Sequence, residues 1–346
     1  MQRRVFALIA TLGLALVLSS SAALAQYQIT NLVSNQIGHA QHIDPLSVNA
    51  WGFARGATTP WWVSDNLSGW STLYDASGVK QGLEVEIPPA PAPNGGAIGL
   101  PTGVVFNPSK SGEFQVQGWQ TFFIFDTLDG TISAWAPGLT LFDAAPTPVD
   151  NSKSGASYTA LAVTNKPSGN FLFAADNANN RVDIYDGSFT HTGTFAPDPA
   201  IPSGFSVFGI RDIDGKVYVS FASSSGGPGG FIDVYKEDGT LIGLFTKAVQ
   251  LNQPWGFAAA PPNFGRLSNT LLVSNNTNSG TINGFDAKGN FVGTMKDTAG
   301  NAIGIDQLWA IDFGGGNPTN GATNRLFFTA GPHNNLAGSF GSIVVK

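Results

Sequence analysis

Short apolar runs recur along the sequence, and four of them end in a residue with a side-chain oxygen at an equivalent position. These residues are Asp65, Asp126, Asp176 and Asn275. A hard cation such as calcium accepts carboxylate and amide oxygens, so equivalent positions in a repeated fold predict a ring of metal ligands. The alternative interpretation is that each residue caps a turn by accepting hydrogen bonds from backbone N–H groups. Two equivalent positions hold Phe221 and Ala330, which interrupts the ring and favours the turn caps.

Three histidines are the candidates for an alternative metal site. His39 and His42 precede the first repeat, and His333 lies in the last one. Imidazole nitrogens bind zinc or copper, and the three side chains come together if the N-terminal segment joins the end of the chain. The histidine pair falls in a loop, where no helix or hairpin pattern fixes its spacing. The sequence contains no cysteine, which excludes thiolate ligands and a cysteine nucleophile.

Local motifs for common reactions are absent from the sequence. It has no Gly-x-Ser-x-Gly nucleophile elbow, no phosphate-binding loop of the Walker type and no His-Glu-x-x-His zinc motif. The glycine-rich stretches 226–230 and 314–316 lie between β-runs rather than before helices, which is typical of turns. The sequence alone therefore assigns no reaction.

The elements that must position these residues repeat along the chain. A small residue stands between two apolar ones six times, at intervals of 47 to 57 residues: Gly52, Gly103, Ala160, Gly209, Gly256 and Ala310. Each is followed by two further short β-runs bounded by turn residues. Six such units predict an all-β fold, a six-bladed β-propeller. The small residue is expected where the innermost strands crowd toward the axis.

The two ends of the chain are expected to close the ring together. Only 36 residues follow Ala310, enough for three strands. The run from Tyr27 to Val33 has no partner of its own, so we expect it to form the outer strand of the last blade. Residues 26–346 then form one propeller domain.

The N-terminus has the pattern of a secretory signal peptide. Arg3 and Arg4 precede an apolar run over 5–18, and Ala23 and Ala25 form a small-x-small cleavage site. The apolar run is shorter than the roughly 20 residues that span a bilayer. We therefore predict a signal peptide over 1–25, cleavage before Gln26, no membrane span in the mature chain, and a secreted or periplasmic protein.

Composition narrows the classes of partner. The net charge is −6, and Lys and Arg do not cluster beyond the first four residues. This argues against nucleic acid and anionic membrane surfaces. A small molecule, a glycan or an envelope protein is the expected partner of a protein that we expect to be monomeric.

Several stretches resemble a known family: 44–45 with 49–52, 100–107, 129–133, 179–183, 254–258, 262–265, 329–332 and 340–343. Together they resemble a functionally unassigned family of exported bacterial six-bladed propellers, many with a C-terminal PEP-type sorting tail. The resemblance implies the fold and export, and no reaction. This chain stops at Lys346 without such a tail. The blade pattern is more distantly similar to NHL-repeat and lactonase-like propellers, some of which are enzymes.

The expected function is binding of a ligand or partner at one face of the channel. Loops that enter the first strand and leave the second strand of each blade lie at the same end of a propeller. The predicted ligand-binding residues are Asn49, Thr102, Tyr158, Asn252, Gln253, Asp306 and Gln307. The alternative is a metal-assisted hydrolase or lactonase with a divalent cation such as calcium at the channel mouth.

Overall fold

The described chain begins with the strand β1 (Tyr27–Ser34) and the short strand β2 (His42–Ile43) and then forms five blades in sequence order. The computed structural model describes residues 26–110, 112–166 and 169–346. The predicted signal peptide lies outside the described residues.

Five blades each contain four antiparallel strands. From the channel outward, blade 1 contains β3 (Ala50–Ala54), β4 (Trp61–Asp65), β5 (Trp70–Tyr74) and β6 (Lys80–Glu86), and blade 2 contains β7 (Pro101–Phe106), β10 (Phe123–Thr127), β11 (Thr131–Trp135) and β12 (Val149–Asp150). In the same order, blade 3 contains β13 (Tyr158–Val163), β14 (Leu172–Asp176), β15 (Arg181–Tyr185) and β16 (His191–Thr194), and blade 4 contains β17 (Phe205–Ile213), β18 (Lys216–Ser223), β19 (Gly230–Lys236) and β20 (Leu241–Thr246). Blade 5 contains β21 (Pro254–Ala259), β22 (Leu271–Asn275), β23 (Ile282–Phe285) and β24 (Phe291–Thr294).

A small hairpin is inserted between the first two strands of blade 2. It consists of β8 (Gln115–Val116) and β9 (Trp119–Gln120). Two 3-10 turns, Ser152–Ser154 and Gly265–Leu267, complete the regular structure of the described residues.

Blade 6 joins both ends of the chain, which confirms the predicted closure. It contains β25 (Leu308–Phe313), β26 (Leu326–Ala330) and β27 (Ser339–Val345), followed outward by β1 and, parallel to it, β2. β1 pairs antiparallel with β27 from Tyr27↔Val345 to Ser34↔Ser339. The hydroxyl of Tyr27 also donates to the carbonyl of Phe264 at 2.8 Å, which ties blade 6 to blade 5.

Close approach of neighbouring innermost strands explains the small residue in each repeat. A Cβ atom added to Gly209 would lie 2.0 Å from the carbonyl oxygen of Trp255, and one added to Gly256 would lie 2.7 Å from that of Trp309. The pairing register of the first two strands shifts at the same place, as between Pro254 and Phe257. Each innermost strand therefore bulges toward the next blade at its small residue.

A side-chain hydroxyl on the second strand bridges several of these bulges, and we call each bridge a hydroxyl clasp. Ser274 Oγ accepts from the N–H of Gly256 at 2.8 Å and donates to the carbonyl of Trp309 at 2.6 Å. Ser220 does the same between blades 4 and 5, and Thr329 between blades 6 and 1. The clasps satisfy buried backbone groups that the bulges remove from strand pairing.

The hydrophobic core lies between the blades. Trp62 of blade 1 stacks on Phe123 of blade 2 with ring centroids 4.1 Å apart, and Trp61 packs on Phe327 of blade 6. Both faces of a blade are thus covered by its neighbours, which is the packing that requires a closed ring.

Candidate functional site

The two ends of the channel differ, and we name them by strand direction. The N-face is the end where the innermost strands begin, near Asn49 and Gln307. The C-face is the end where they finish, near Arg55 and Asp312.

Four aromatic side chains close the channel on the N-face. They are the tryptophan plug, formed by Trp51, Phe208, Trp255 and Trp309, each directly before the small residue of its strand. Trp51 and Trp309 stack with centroids 3.7 Å apart. Contacts cross between non-adjacent blades, since Trp255 Nε1 of blade 5 donates to the carbonyl of Thr159 in blade 3 at 3.1 Å. The indoles therefore fill the axis of the propeller.

A cavity of about 270 Å³ lies in the channel toward the C-face. Trp255 belongs to its lining, so the cavity begins at the plug. The remaining apolar lining comes from the innermost strands of all six blades, including Val104, Leu161, Ile210 and Ile311. The cavity is thus an apolar recess built from main chain and branched side chains.

Charged groups stand at the mouth of this cavity. Arg211 of blade 4 donates from Nη2 to Asp312 Oδ2 of blade 6 at 2.6 Å. Arg55 of blade 1 donates from Nε and Nη2 to the carbonyl of Phe313 at 2.9 and 2.8 Å. Burial lowers the pKa of Arg55, Asp312 opposes this, and the charge of Arg211 lowers it further. Arg211 therefore pairs with the Asp312 carboxylate, and Arg55 stands near both as a second positive charge.

Asp212 provides a further carboxyl at the mouth, and its raised pKa favours the protonated, uncharged form. Burial raises the pKa of Asp212, and the neighbouring carboxyl of Glu237 raises it further. Glu237 in turn pairs with Lys166, with 2.7 Å between Nζ and Oε2. When Asp212 holds its proton, the charge at the mouth comes from Arg55, Arg211 and Asp312, and it is positive.

No motif in the sequence predicted these residues, although a signal for them exists. Arg55, Arg211 and Asp312 lie near the C-terminal ends of three innermost strands, two or three positions after Gly52, Gly209 and Ala310. Aligning the repeats at that small residue brings them to one end of the ring.

The predicted ligand-binding residues lie on the N-face and line no part of the cavity. Asn49 is buried, accepting from Trp309 Nε1 and donating to Asn66. Thr102 and Tyr158 are also buried, and Thr102 Oγ1 lies 2.8 Å from the carbonyl of Tyr158. Because the tryptophan plug fills this end of the channel, these side chains join blades instead of facing an open recess.

The other four predicted residues belong to N-face loops. The amide of Gln253 donates to the carbonyls of Ser223 and Gly227, and the backbone N–H of Asn252 donates to Asn275. The amide of Gln307 donates to Asn278, and Asp306 accepts from the N–H of His333. Their role as ligand-binding residues stays a prediction.

The predicted cation ligands are not brought together. Asp65, Asp126 and Asp176 are fully buried, and among the described residues no three acidic or histidine side chains are grouped closely enough to hold a metal ion. Asp176 accepts from the backbone N–H groups of Ser157 and Asn179, as a turn cap does. Asn275 bonds backbone groups of Asn252 and Gln250. The donor set therefore does not fit a calcium ring.

The other two aspartates, Asp65 and Asp126, are buried in surroundings that favour the protonated carboxyl. Burial raises the pKa of Asp65 well above its usual range, and Thr72 donates to its Oδ2 at 2.6 Å. Burial raises the pKa of Asp126 to about 7. Such groups favour a proton over an open coordination shell near neutral pH.

Two of the three histidines meet on the surface. The rings of His39 and His333 are 6.4 Å apart, edge to face, as the joining of the chain ends predicts. His42 lies in β2, and the three imidazoles do not form one of the groups that could hold a metal ion in the described chain.

Comparisons with known proteins support the propeller fold, but they do not show to which family the chain belongs. No family model matches the chain. An uncharacterized protein of Acanthamoeba polyphaga mimivirus is 28% identical over 343 residues, covering 93% of this chain and 81% of the relative. Another from the same virus is 34% identical over 203 residues, covering 54% of this chain and 37% of that relative. Membership of the exported bacterial family therefore stays a prediction.

Solved structures share the propeller architecture at low sequence identity. A gluconolactonase from Xanthomonas campestris is 13% identical with a TM-score of 0.56, covering 95% of this chain and 93% of that one. A streptogramin B lyase is 11% identical with a TM-score of 0.53, covering 93% and 98%. The calcium-binding protein regucalcin from Agrobacterium tumefaciens is 13% identical with a TM-score of 0.51, covering 86% and 90%. These likenesses show a six-bladed propeller fold.

The described residues include no helix with the length and apolar character needed to traverse a bilayer.

Proposed function

We propose that the protein binds a small organic anion with an apolar body in the C-face cavity. The observation that carries this proposal is the pairing of an apolar recess with the guanidinium groups of Arg55 and Arg211 at its mouth. The apolar part of the ligand lies against the innermost strands, and its carboxylate or equivalent group lies beside Arg211.

Arg211 is the main anion-binding group in this proposal. Its side chain is about one-third exposed, and its one hydrogen bond to the described residues is the Nη2 contact with Asp312. Nε, Nη1 and the second N–H of Nη2 are left as donors, and a guanidinium binds a carboxylate through two parallel N–H groups of one edge, here one from Nη2 and one from Nε or Nη1. Asp312 holds the guanidinium in place across the channel.

The size of the cavity sets the size of the ligand. The volume of about 270 Å³ is just below the usual range for small-molecule sites, which starts near 300 Å³. A single ring or a short chain with one acidic group fits this space, and a polymer would engage it only through an end group.

Metal-assisted hydrolysis has weaker support in this chain. The propeller fold is shared with a gluconolactonase and with regucalcin, and the fold alone does not determine activity. The carboxylates that line the cavity are Asp212 and Asp312; the first bonds Gly215 and the second bonds Arg211. These two carboxylates belong to no group that could hold a metal ion in the described part of the chain.

The test is a binding series with matched charged and neutral probes. Phenylacetate and hexanoate are titrated by calorimetry and compared with phenylacetamide and hexanamide. We expect the carboxylates to bind more tightly, and Arg211→Gln to weaken them at least tenfold while leaving the amides unchanged. Lys288→Gln, which removes an exposed positive charge from blade 5, is the control for net charge. Equal binding of acids and amides, or an equal loss in both variants, would refute an anion site at Arg211.

We also propose that the protein acts after export. The support is the basic, apolar and small-residue pattern of the first 25 residues. An exported propeller of this kind meets its ligand in the periplasm or outside the cell.

A further inference from the structure

The mouth of the C-face cavity differs from one side of the ring to the other. The second and third residues after the small residue of each innermost strand lie at this end of the channel, so the six blades can be compared there. Blades 1 to 3 line the cavity with both residues, which are Ala54, Arg55, Val105, Phe106, Ala162 and Val163. The corresponding residues of blade 5, Ala258 and Ala259, do not belong to the lining, and blade 5 contributes only deeper residues. The cavity therefore opens toward blades 1 to 3.

The ion pair between Arg211 and Asp312 closes the opposite side. It joins blade 4 to blade 6, and blade 5 lies between these two blades in the ring. The pair therefore passes across the blade 5 side of the channel. A ligand whose carboxylate reaches Arg211 must place its carbon body on the other side, where Ala54 and Ala162 leave room for it.

Phe106 is the aromatic wall of this open side. Four aromatic residues line the cavity in the described chain, and the other three are Phe53, Trp255 and Phe257. Each of those three is at most 8% exposed, whereas Phe106 is half-buried. The ring of Phe106 is therefore the aromatic surface that a ligand in the mouth can reach.

The ring of Phe106 is held in position by its neighbours. A Cβ atom added to Gly56 would lie 2.7 Å from Cε2 of Phe106, so the ring packs against the backbone of blade 1 directly after Arg55. The rings of Phe122 and Phe123 stand edge-on to it, with centroids 6.2 and 5.4 Å away. A wall that is already held in place loses little conformational entropy when a ligand packs on it.

We propose that the C-face cavity selects aromatic acids and that Phe106 is the residue that recognises the ring. This inference rests on the proposed anion site at Arg211 and adds the class of ligand to it. The carboxylate lies beside Arg211, and the ring of the ligand lies on the open side against Phe106, offset-stacked or edge to face. A saturated ring fills the same space but lacks the quadrupole that makes aromatic pairs favourable.

Phenylacetate and cyclohexylacetate are the probes, because they share the carboxylate, the linker and the number of ring carbons. By calorimetry on the full chain, we expect phenylacetate to bind roughly fivefold more tightly, which is the gain that one aromatic pair adds beyond its buried area. Phe106→Leu should remove this preference, because it keeps an apolar wall without a ring. Phe142→Leu removes an exposed ring from the same blade, outside the cavity, and should leave the preference intact.

A second pair of variants tests the direction in which the cavity opens. Ala54→Leu places extra methyl groups on the open side, where they take the space of ligand atoms, and should weaken both acids by about tenfold. Ala259→Leu is the same change on the blade 5 side and should leave both affinities unchanged. Equal effects of the two leucine substitutions would contradict an opening toward blade 1.

The outcomes separate this inference from the proposed function. If both acids bind the wild-type protein equally, or if folded Phe106→Leu still prefers phenylacetate, ring selection by Phe106 is overturned while the anion site stands. If neither acid binds the wild-type protein, the proposed function is wrong and this inference is overturned with it.

Discussion

Asp126 shows at residue scale how the fold uses a carboxyl that resembles a metal ligand in the sequence. Its Oδ1 accepts from the N–H of Gly103 and from the hydroxyl of Thr102, at 2.6 and 2.8 Å. Its Oδ2 is buried without a hydrogen-bond partner among the described residues. In blade 2, the carboxyl of Asp126 thus takes the place of the serine hydroxyl that forms the hydroxyl clasp in blades 4 and 5. Its surroundings favour the protonated acid.

The pH dependence of stability should reveal this acid. Burial raises the pKa of Asp126 in the folded state to about 7 from its usual 3.8. Between these values the folded state holds a proton that the unfolded state has lost, so stability falls as pH rises from about 4 to 7. The cost at pH 7 is on the order of 4 kcal/mol. We expect thermal melts of Asp126→Asn to lack this part of the decline.

An exposed aspartate provides the control for that measurement. The pKa of Asp286 is lowered, chiefly by a hydrogen bond from Asn290 in the turn. It therefore contributes stability above its unfolded pKa that is lost on acidification, and Asp286→Asn should change the pH profile with the opposite sign. Identical pH profiles for the wild type and Asp126→Asn would mean that Asp126 is ionised in the folded protein.

At the scale of elements, β1 is the strand on which ring closure depends. It pairs along its length with β27, and its first residue also contacts blade 5. Removing it would expose the edge of β27 to solvent, and unpaired edges promote aggregation.

Deletion of residues 27–34 should destabilise the whole propeller. Every blade depends on both neighbours, so the loss is expected in the single melting transition and in the monomer fraction by gel filtration. Tyr27→Phe keeps β1 but removes hydrogen bonds to Phe264 and Leu267, and should cost about 1–3 kcal/mol. A deletion variant that stays monomeric and melts within a few degrees of the wild type would show that β1 is dispensable for closure.

The strands themselves could be predicted from the sequence because their signals are local. Each second strand is a short apolar run with a polar turn after it, as at Trp62 to Asp65, and such runs recur about every fifty residues. The direction of the tryptophans could not be predicted in the same way. Whether Trp309 points to the axis or between blades depends on the bulge at Ala310, which forms where β25 pairs with β26 and where Thr329 bonds Trp51 at the other end of the sequence.

At the scale of the whole molecule, the ring brings together residues that the sequence keeps apart. Arg55 and Phe313 are 258 positions apart, yet the guanidinium of one bonds the carbonyl of the other because blade 6 closes on blade 1. The cavity mouth forms only when the ring of blades closes, so no local sequence motif could predict it. Four large side chains also fill the axial space that the six innermost strands leave at the N-face, and the role of the predicted N-face residues in binding stays a prediction.

Export is a prediction for the complete chain and can be tested on it. When the full-length protein is expressed in a bacterium, we expect it in the periplasm or medium, with Gln26 as the first residue by intact mass. Replacing Arg3 and Arg4 by Glu should hold the uncleaved chain in the cytoplasm, because a signal peptide needs a basic start. Retention of residues 1–25 in the wild-type protein would contradict the signal peptide.

The position of Lys346 beside Gln26 determines which face of the propeller points toward a surface to which the protein is attached there. The N–H of Lys346 donates to the carbonyl of Gln26 at 2.9 Å, so Lys346 and the predicted first residue of the mature chain lie side by side on the rim of blade 6. β25 runs from the N-face to the C-face, and antiparallel order through β26 and β27 brings that point to the C-face side. A tag that fixes either terminus to a sensor chip would turn the mouth of the cavity toward the support. Immobilised protein would then shield Arg211 from a ligand, whereas protein in free solution would leave it open.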